Sequence, residues 1–138
     1  MGGIGEQMES AFQFTNPVLT ELEFNINEKF NSQDNQEVQI ALSVSVQVNK
    51  SENKMEATVG LNFEIGTRED ISPFHIKATE KANFRWDESL TEGMVDKLLN
   101  QNAPSLLVSY LRPIIVQITA ASPYGAYNIP FINFTAGE

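Results

Sequence analysis

Residues 38–65 read VQIALSVSVQVNKSENKMEATVGLNFEI and contain two runs in which apolar and polar residues alternate. Every second residue is apolar from Val38 through the first run and again from Met55 through the second. A period of two is typical of a strand with one buried and one solvent-exposed face. Because the polar residues 49–53 separate the runs, we predict two antiparallel strands joined by a hairpin loop.

The same alternation continues on both sides of this hairpin. Downstream, residues 74–86 alternate in the same way, except that Glu80 interrupts the apolar row. A charged residue in that row favours a position near an edge of the sheet. Upstream, residues 22–30 alternate as well, and Phe12 and Phe14 extend their pattern. These one-sided patterns and short loops predict an antiparallel sheet of four long strands.

The last third of the chain must cover the apolar face of this sheet. The tetrapeptide Ser89-Leu-Thr-Glu92 matches a capping box, which predicts a helix beginning at Ser89. Residues 100–102 interrupt the apolar spacing, and Pro104 suits the first turn of a second helix. In that second helix Pro113 lacks the backbone N–H that would bond to Ser109, so we expect a kink or a break there.

Residues 122–134 read SPYGAYNIPFINF and cannot continue the helix, because they hold two prolines and a glycine. Their aromatic and aliphatic side chains need cover from water. Two explanations remain open, and they can coexist. The segment is ordinary core, or it borders a groove or an interface for another molecule.

Composition and charge exclude several classes of function. A chain of 138 residues is expected to form a single domain. Its net charge of −9 disfavours binding to nucleic acid, because phosphates repel it. The absence of cysteine excludes disulfides and thiolate sites. The sequence shows no signal peptide, and Arg112 and Pro113 interrupt its most apolar run, so we expect a cytoplasmic protein without membrane insertion.

The sequence offers little that supports catalysis. His75 is the only histidine, and it falls on the polar side of a predicted strand beside Lys77. We therefore expect a solvated histidine rather than a catalytic base. No nucleophile elbow and no phosphate-binding glycine loop is present. We predict that the protein is not an enzyme and needs neither a metal nor another cofactor.

Residues 106–134 resemble the SecB family of protein-export chaperones. Family members carry an aromatic residue and an arginine early in a long helix, then a crossover loop, then a Pro-x-Ile/Val-Asn-Phe motif. The matching residues are Leu106-Leu107, Tyr110-Leu111-Arg112, Ile114-Ile115, Pro123-Tyr124-Gly125 and Ile129-Pro130-Phe131-Ile132-Asn133-Phe134. The chain departs from the pattern at Pro113 and at Ala126-Tyr127, and we expect it to lack the family's second helix and motor-docking tail after Phe134.

The resemblance implies an α+β fold with a long four-stranded antiparallel sheet and a C-terminal helix packed on one face. It implies one SecB-like domain over residues 1–138. Within it we expect residues 1–11 to be flexible, 12–87 to form the sheet, 89–122 to be helical, and 123–134 to form the segment that we call the crossover segment.

The resemblance also implies a function and a set of site residues. The function is ATP-independent binding of unfolded or secretory polypeptides by a dimer or tetramer, with the translocation ATPase as a further candidate partner. Residues implied to line or border the polypeptide-binding groove are Tyr124, Tyr127, Ile129, Phe131 and Phe134. Residues implied to serve sheet packing and subunit contact are Leu107, Tyr110, Leu111, Ile114 and Ile118.

Two other functions remain open. The chain could be a dedicated interaction subunit for one partner, such as an antitoxin. It could also be a small-ligand or hot-dog-like enzyme, because a long sheet wrapped on a helix suits that fold too. A deep closed pocket with convergent polar groups would favour the enzyme, and an open apolar groove would favour polypeptide binding.

Overall fold

The computed structural model describes residues 11–30, 40–67 and 72–135. Within them an antiparallel sheet precedes one helical segment, which confirms the predicted α+β class. The strands are β1 (Phe12–Phe14), β2 (Val18–Ile26), β3 (Leu42–Lys50), β4 (Glu56–Ile65) and β5 (Phe74–Trp86). The residues predicted to begin a strand at Val38, and the predicted flexible residues 1–10, lie outside the described part of the chain.

Strand β5 is the centre of the sheet. Its 13 residues pair with β4 along one side, and β3 lies beyond β4. Its other side is shared, because β1 pairs with the end of β5 and β2 with its beginning. The sheet is therefore four strands wide, as predicted, but the first strand is divided at Pro17. Proline has no N–H to contribute to a ladder, so the pairing is interrupted there.

The predicted first strand ended at Phe30, and this boundary is wrong. Strand β2 ends at Ile26 because the side chain of Asn27 bonds to the backbone on both sides of the turn. Its amide donates to the carbonyl of Ser72 over 2.8 Å, and its carbonyl accepts from the N–H of Lys29 over 3.0 Å. Such Asx turns divert the chain from a strand, and Phe30 turns back into the core.

The helical segment comprises α1 (Glu92–Lys97), a π-helical turn (Leu98–Asn102) and α2 (Ala103–Ala120). The predicted helix start at Ser89 is wrong. Ser89 bonds instead to the carboxylate of Asp87, through its backbone N–H at 2.9 Å and through its hydroxyl. Thr91 is the N-cap, because its hydroxyl accepts from the N–H of Met94 over 3.2 Å.

Neither expected interruption breaks the helix. Residues 100–102 fall in the π-helical turn, where the side chain of Asn100 donates to the carbonyl of Asp96 over 2.7 Å. Pro104 lies in the first turn of α2, as predicted. Pro113 lies inside α2, which continues through it to Ala120. At the first interruption, the π-helical turn of residues 98–102 accommodates an extra residue without ending the helix.

The helix covers one face of the sheet and forms the core with it. Side chains of β4 and β5 supply the floor, and α2 buries one stripe against them. The largest fully buried side chains include Phe74, Phe84, Leu61, Ile65, Ile76, Leu99, Leu107, Leu111 and Ile115. Burial of each such side chain contributes about 1.5–3 kcal/mol, so the helix and the sheet depend on each other for stability.

Two polar residues of β5 are buried, contrary to the sequence-based expectations. His75 was expected to be solvated, yet it is 3% exposed, and its Nε2 lies 2.6 Å from the Glu64 carboxylate. Glu80 was expected near an edge, yet it lies in the central strand on the core face and is 2% exposed. Glu80 is buried because it lies on the face that α2 covers, whereas His75 lies on the other face and bonds to Glu64 of the neighbouring strand.

Candidate polypeptide-binding surface

The crossover segment is attached to α2 by side chains of the helix. Thr119 is fully buried, and its hydroxyl donates to the carbonyl of Ile115 over 2.6 Å. The same oxygen accepts from the N–H of Tyr127 over 2.8 Å. Near the start of the segment Gly125 has a φ of +85°, a value that glycine adopts without strain. The chain thereby reverses direction and returns along the helix.

Arg112 makes the second attachment. Its Nε donates to the carbonyl of Ile129 over 3.1 Å, and its Nη2 donates to the carbonyl of Pro130 over 2.9 Å. The planar guanidinium presents these two donors in a fixed fork, which suits two successive carbonyls. The matching arginine of the resemblance thus bonds to the backbone of the crossover segment.

The two tyrosines tie the segment to the sheet. The hydroxyl of Tyr124 donates to the carbonyl of Asn27 over 2.6 Å, and its ring meets Phe30 edge-on at 5.4 Å. The ring of Tyr127 meets Phe74 edge-on at 5.9 Å. Burial raises the pKa of Tyr127. Both rings are half-buried and present only part of their surface to solvent.

Side chains of the crossover segment differ widely in exposure. Ile129 is 3% exposed and belongs to the core, whereas Phe131, two residues later, is 87% exposed. Phe134 is half-buried and packs against the core, like the two tyrosines. The segment is therefore partly core, as one of the two explanations predicted, and partly an exposed apolar surface, for which a groove or an interface stays a prediction.

The helix residues that the resemblance implied are divided between core and surface. Leu107 and Leu111 are fully buried, and Ile114 and Ile118 are half-buried. Tyr110 is 41% exposed. At about 100° per residue, Tyr110 and Arg112 are about 200° apart around the helix. Tyr110 therefore faces away from the crossover segment.

A second apolar surface lies on the Tyr110 side, and sequence reasoning did not single it out. Phe14, Leu22 and Ile26 point to the core face, opposite Phe84, Ala78 and Phe74, yet they are between 39% and 43% exposed. Phe14 also meets Tyr110 edge-on at 6.2 Å. We call Phe14, Leu22, Ile26 and Tyr110 the edge strip. The sequence could have indicated such a surface through the width of the predicted sheet. One helix about 10–12 Å across cannot cover four strands about 4.8 Å apart.

The described residues offer no evident metal site. In residues 11–30, 40–67 and 72–135, no three His, Cys, Asp or Glu side chains are grouped so that they could hold an ion. The helical stretch Glu92–Ala120 could cross a membrane by length and composition alone, with a hydropathy of 1.2 over 18 residues. Within the fold, 39% of that window is buried, and core helices of soluble proteins meet the same criterion.

The fold places the chain in the class of α+β proteins in which one helix covers a long antiparallel sheet. The family model described as preprotein translocase subunit SecB matches residues 6–136. The chain belongs to the SecB family, which confirms the resemblance. No curated protein matches the chain in sequence.

Two similar solved structures have low sequence identity to this chain, and the first of them shows the same fold. One is the Mycobacterium tuberculosis Rv1957 SecB-like chaperone, in complex with a ChAD peptide from the Rv1956 HigA1 antitoxin. It superposes with a TM-score of 0.69 at 12% identity, covering 94% of this chain and 97% of its own. A Streptococcus agalactiae protein of unknown function gives a TM-score of 0.48 at 12% identity, with 87% and 97% covered.

Proposed function

We propose that the protein is an ATP-independent, chaperone-like binder of unfolded or secretory polypeptides in the cytoplasm. The observation that carries this proposal is the exposure of Phe131 on a backbone that α2 holds in place. Half-buried Tyr124, Tyr127 and Phe134 in the same segment extend the apolar surface. Burying one such aromatic ring contributes about 1.5–3 kcal/mol. This contribution does not depend on the sequence of the client, which suits the binding of varied clients.

The binding requires no covalent step, no nucleotide and no cofactor. Apolar contact alone supplies the free energy, and SecB-family membership supports a non-enzymatic function. Docking on the translocation ATPase, and export as the pathway, stay predictions from the family.

The proposal is tested by the aggregation of a denatured client, followed by light scattering with and without the protein. We expect the wild type to slow aggregation and Phe131→Ser to lose most of this effect, because losing the contribution of the ring lowers the client affinity by about 10- to 150-fold. Val18→Thr is the control, since Val18 is also apolar and exposed but lies on the face of the sheet opposite the helix. An unchanged aggregation rate with wild-type protein would exclude the proposal.

We further propose that the protein self-associates through the edge strip and the adjoining side of α2, as a dimer or a tetramer. The strip is apolar, contiguous with the core and more than one-third exposed in the single chain. Such surfaces are costly in water and mark protein contacts. The Tyr110 side of α2 faces away from Arg112, so self-association there leaves the Arg112 side of the helix uncovered. The Ile26 end of the strip adjoins the crossover segment, where Asn27 accepts from the Tyr124 hydroxyl.

A second candidate function is that of a dedicated partner-binding subunit. The structural neighbour Rv1957 was solved with an antitoxin peptide, and the same kind of surface could serve one partner here. A pull-down that recovers one dominant partner, together with no general effect on client aggregation, would favour this function over general polypeptide holding.

The third candidate, a small-ligand enzyme, has less support. A cavity of about 560 Å³ opens beside Gln13, Thr58, Asn83 and Arg85. Its polar groups bond to each other, with Thr58 donating to Asn83 over 2.8 Å and Arg85 donating to Gln13 over 3.1 Å. Polar groups that satisfy one another do not converge on a bound substrate.

A further inference from the structure

We propose that Arg112 and Thr119 are the positioning residues of the polypeptide-binding surface. Together they hold the backbone of residues 127–130 on the helix, and they thereby present Phe131 as a fixed aromatic contact. The part of this inference that concerns clients rests on the proposed function. The part that concerns the position of the segment does not.

The geometry of the helix places both residues on one side. Arg112 and Thr119 are seven residues apart, which is close to two helical turns, so their side chains project in nearly the same direction. They reach three backbone groups of the segment, over 2.8 Å at Tyr127 N, 3.1 Å at Ile129 O and 2.9 Å at Pro130 O. One residue accepts and the other donates, so the pair grips both kinds of backbone group.

The segment has no other regular support at this point. Residues 125–133 are neither helix nor strand, and Pro130 has no N–H to donate. Packing in the core anchors the side chain of Ile129, which is 3% exposed. Phe131 has no such anchor, because its ring is almost wholly exposed. Its direction therefore follows from the backbone on both sides of it. Arg112 holds the preceding residues by two successive carbonyls, and Ile132 and Phe134 pack against the core after it.

A fixed ring binds more tightly than a mobile one. Ordering a flexible loop and a side chain upon binding costs free energy, and a preorganised contact avoids much of that cost. The bonding of Arg112 is also informative, because its charged guanidinium donates to two neutral backbone carbonyls. We infer that α2 is the rigid element that holds the crossover segment, and with it the Phe131 ring, in a fixed position.

The first test measures mobility without any client. The chain has no cysteine, so Asn128→Cys, an exposed site within the held stretch, takes a single spin label while Phe131 stays in place. We expect a restricted label in the wild-type background. Arg112→Met and Thr119→Val should both mobilise it, Arg112→Lys and Thr119→Ser should restore much of the restriction, and Arg85→Met should change nothing.

Arg85→Met is the matched control because Arg85 also donates to a side chain of another element, but on the opposite face of the sheet. The Lys and Ser variants retain a charge and a hydroxyl, so they separate the lost hydrogen bonds from lost packing. A label that remains as restricted in Arg112→Met and Thr119→Val as in the wild type overturns the positioning inference. If Arg112→Met does not fold, the Thr119→Val and Thr119→Ser pair decides the question.

The second test measures the affinity for a permanently unfolded polypeptide, such as a reduced and carboxymethylated globular protein. We expect affinity to fall about tenfold in Arg112→Met, with Arg112→Lys intermediate and Arg85→Met unchanged, because binding must then order the segment. Equal affinity of wild type and Arg112→Met overturns the role in presenting Phe131. Absence of binding by the wild type rejects the proposed function instead, while the spin label still decides whether Arg112 and Thr119 position the segment.

Discussion

At the scale of single residues, Glu80 is the least expected feature of the molecule. Its carboxylate lies on the core face of the central strand, opposite Leu61 on β4 and Leu19 on β2. Its Oε2 has no hydrogen-bond partner. Burial raises the pKa of this carboxyl above its ordinary value. A buried polar atom without a partner destabilises the native state.

We expect Glu80→Leu to increase the free energy of unfolding at neutral pH by about 1–3 kcal/mol, because it removes an unsatisfied buried group. Glu80→Gln tests the charge alone. The native pKa is raised, so the native state binds more protons than the unfolded state, and stability falls as pH rises through the native pKa. Thermal unfolding should therefore show that Glu80→Gln is more stable than the wild type at pH 8 and equally stable below about pH 4. If Glu80→Gln and the wild type are equally stable at both pH values, the charged Glu80 carboxylate does not destabilise the fold.

Gly66 is the second residue with a clear prediction. Gly66 directly follows β4 and has a φ of +73°. A Cβ built there would lie 2.0 Å from the carbonyl oxygen of Phe74. Gly66→Ala should therefore destabilise the fold by more than about 1 kcal/mol, through both the clash and the backbone strain. Gly93→Ala is the control, because nothing lies near its Cβ position. Denaturant unfolding of the two variants gives the comparison, and an equal effect would refute the role of the turn.

At the scale of elements, the helix start depends on Thr91. Its hydroxyl accepts from the N–H of Met94 and satisfies one of the free donors of the first turn. We expect Thr91→Ala to cost about 0.5–2 kcal/mol of stability and Ser89→Ala to cost less, because Ser89 does not cap the helix. Denaturant midpoints measure both. A larger loss from Ser89→Ala would restore the capping box that the sequence suggested.

Element types were largely predictable, whereas their ends were not. The period of two identified β3, β4 and β5 because one face of β4 and of β5 is buried and one face of β3 is half-buried. The boundaries shifted where a side chain satisfies the backbone, at Asn27 and at Thr91. Several residues near each end could have made those bonds, and only the folded geometry selects among them.

At the scale of the whole molecule, the edge strip leads to a prediction about assembly. Wild-type protein should be a dimer or a tetramer by light scattering coupled to size exclusion. Leu22→Ser combined with Tyr110→Ser should shift it toward monomer, because both changes remove apolar area from the strip. Val18→Ser on the opposite face is the control. A wild-type monomer at micromolar concentration would contradict the proposed self-association.

The sequence by itself determined the fold class and the family. Alternation with a period of two requires a sheet with one apolar face, and the apolar C-terminal third was left to cover it. The motif residues of α2 and the crossover segment then indicated the SecB family, as the family match confirms. These properties follow from local patterns, which can be read along the chain.

Only the tertiary structure decided which apolar residues are core and which are surface. Ile129 and Phe131 are two residues apart and equally apolar, yet one is buried and the other exposed, because the reach of Arg112 and Thr119 sets the path of the backbone between them. Likewise Glu80 is buried under the helix in a central strand and His75 is buried beside Glu64, although the sequence suggested an edge for the first and solvent for the second. Burial depends on neighbours brought together from distant parts of the chain, and a local pattern contains no record of their positions.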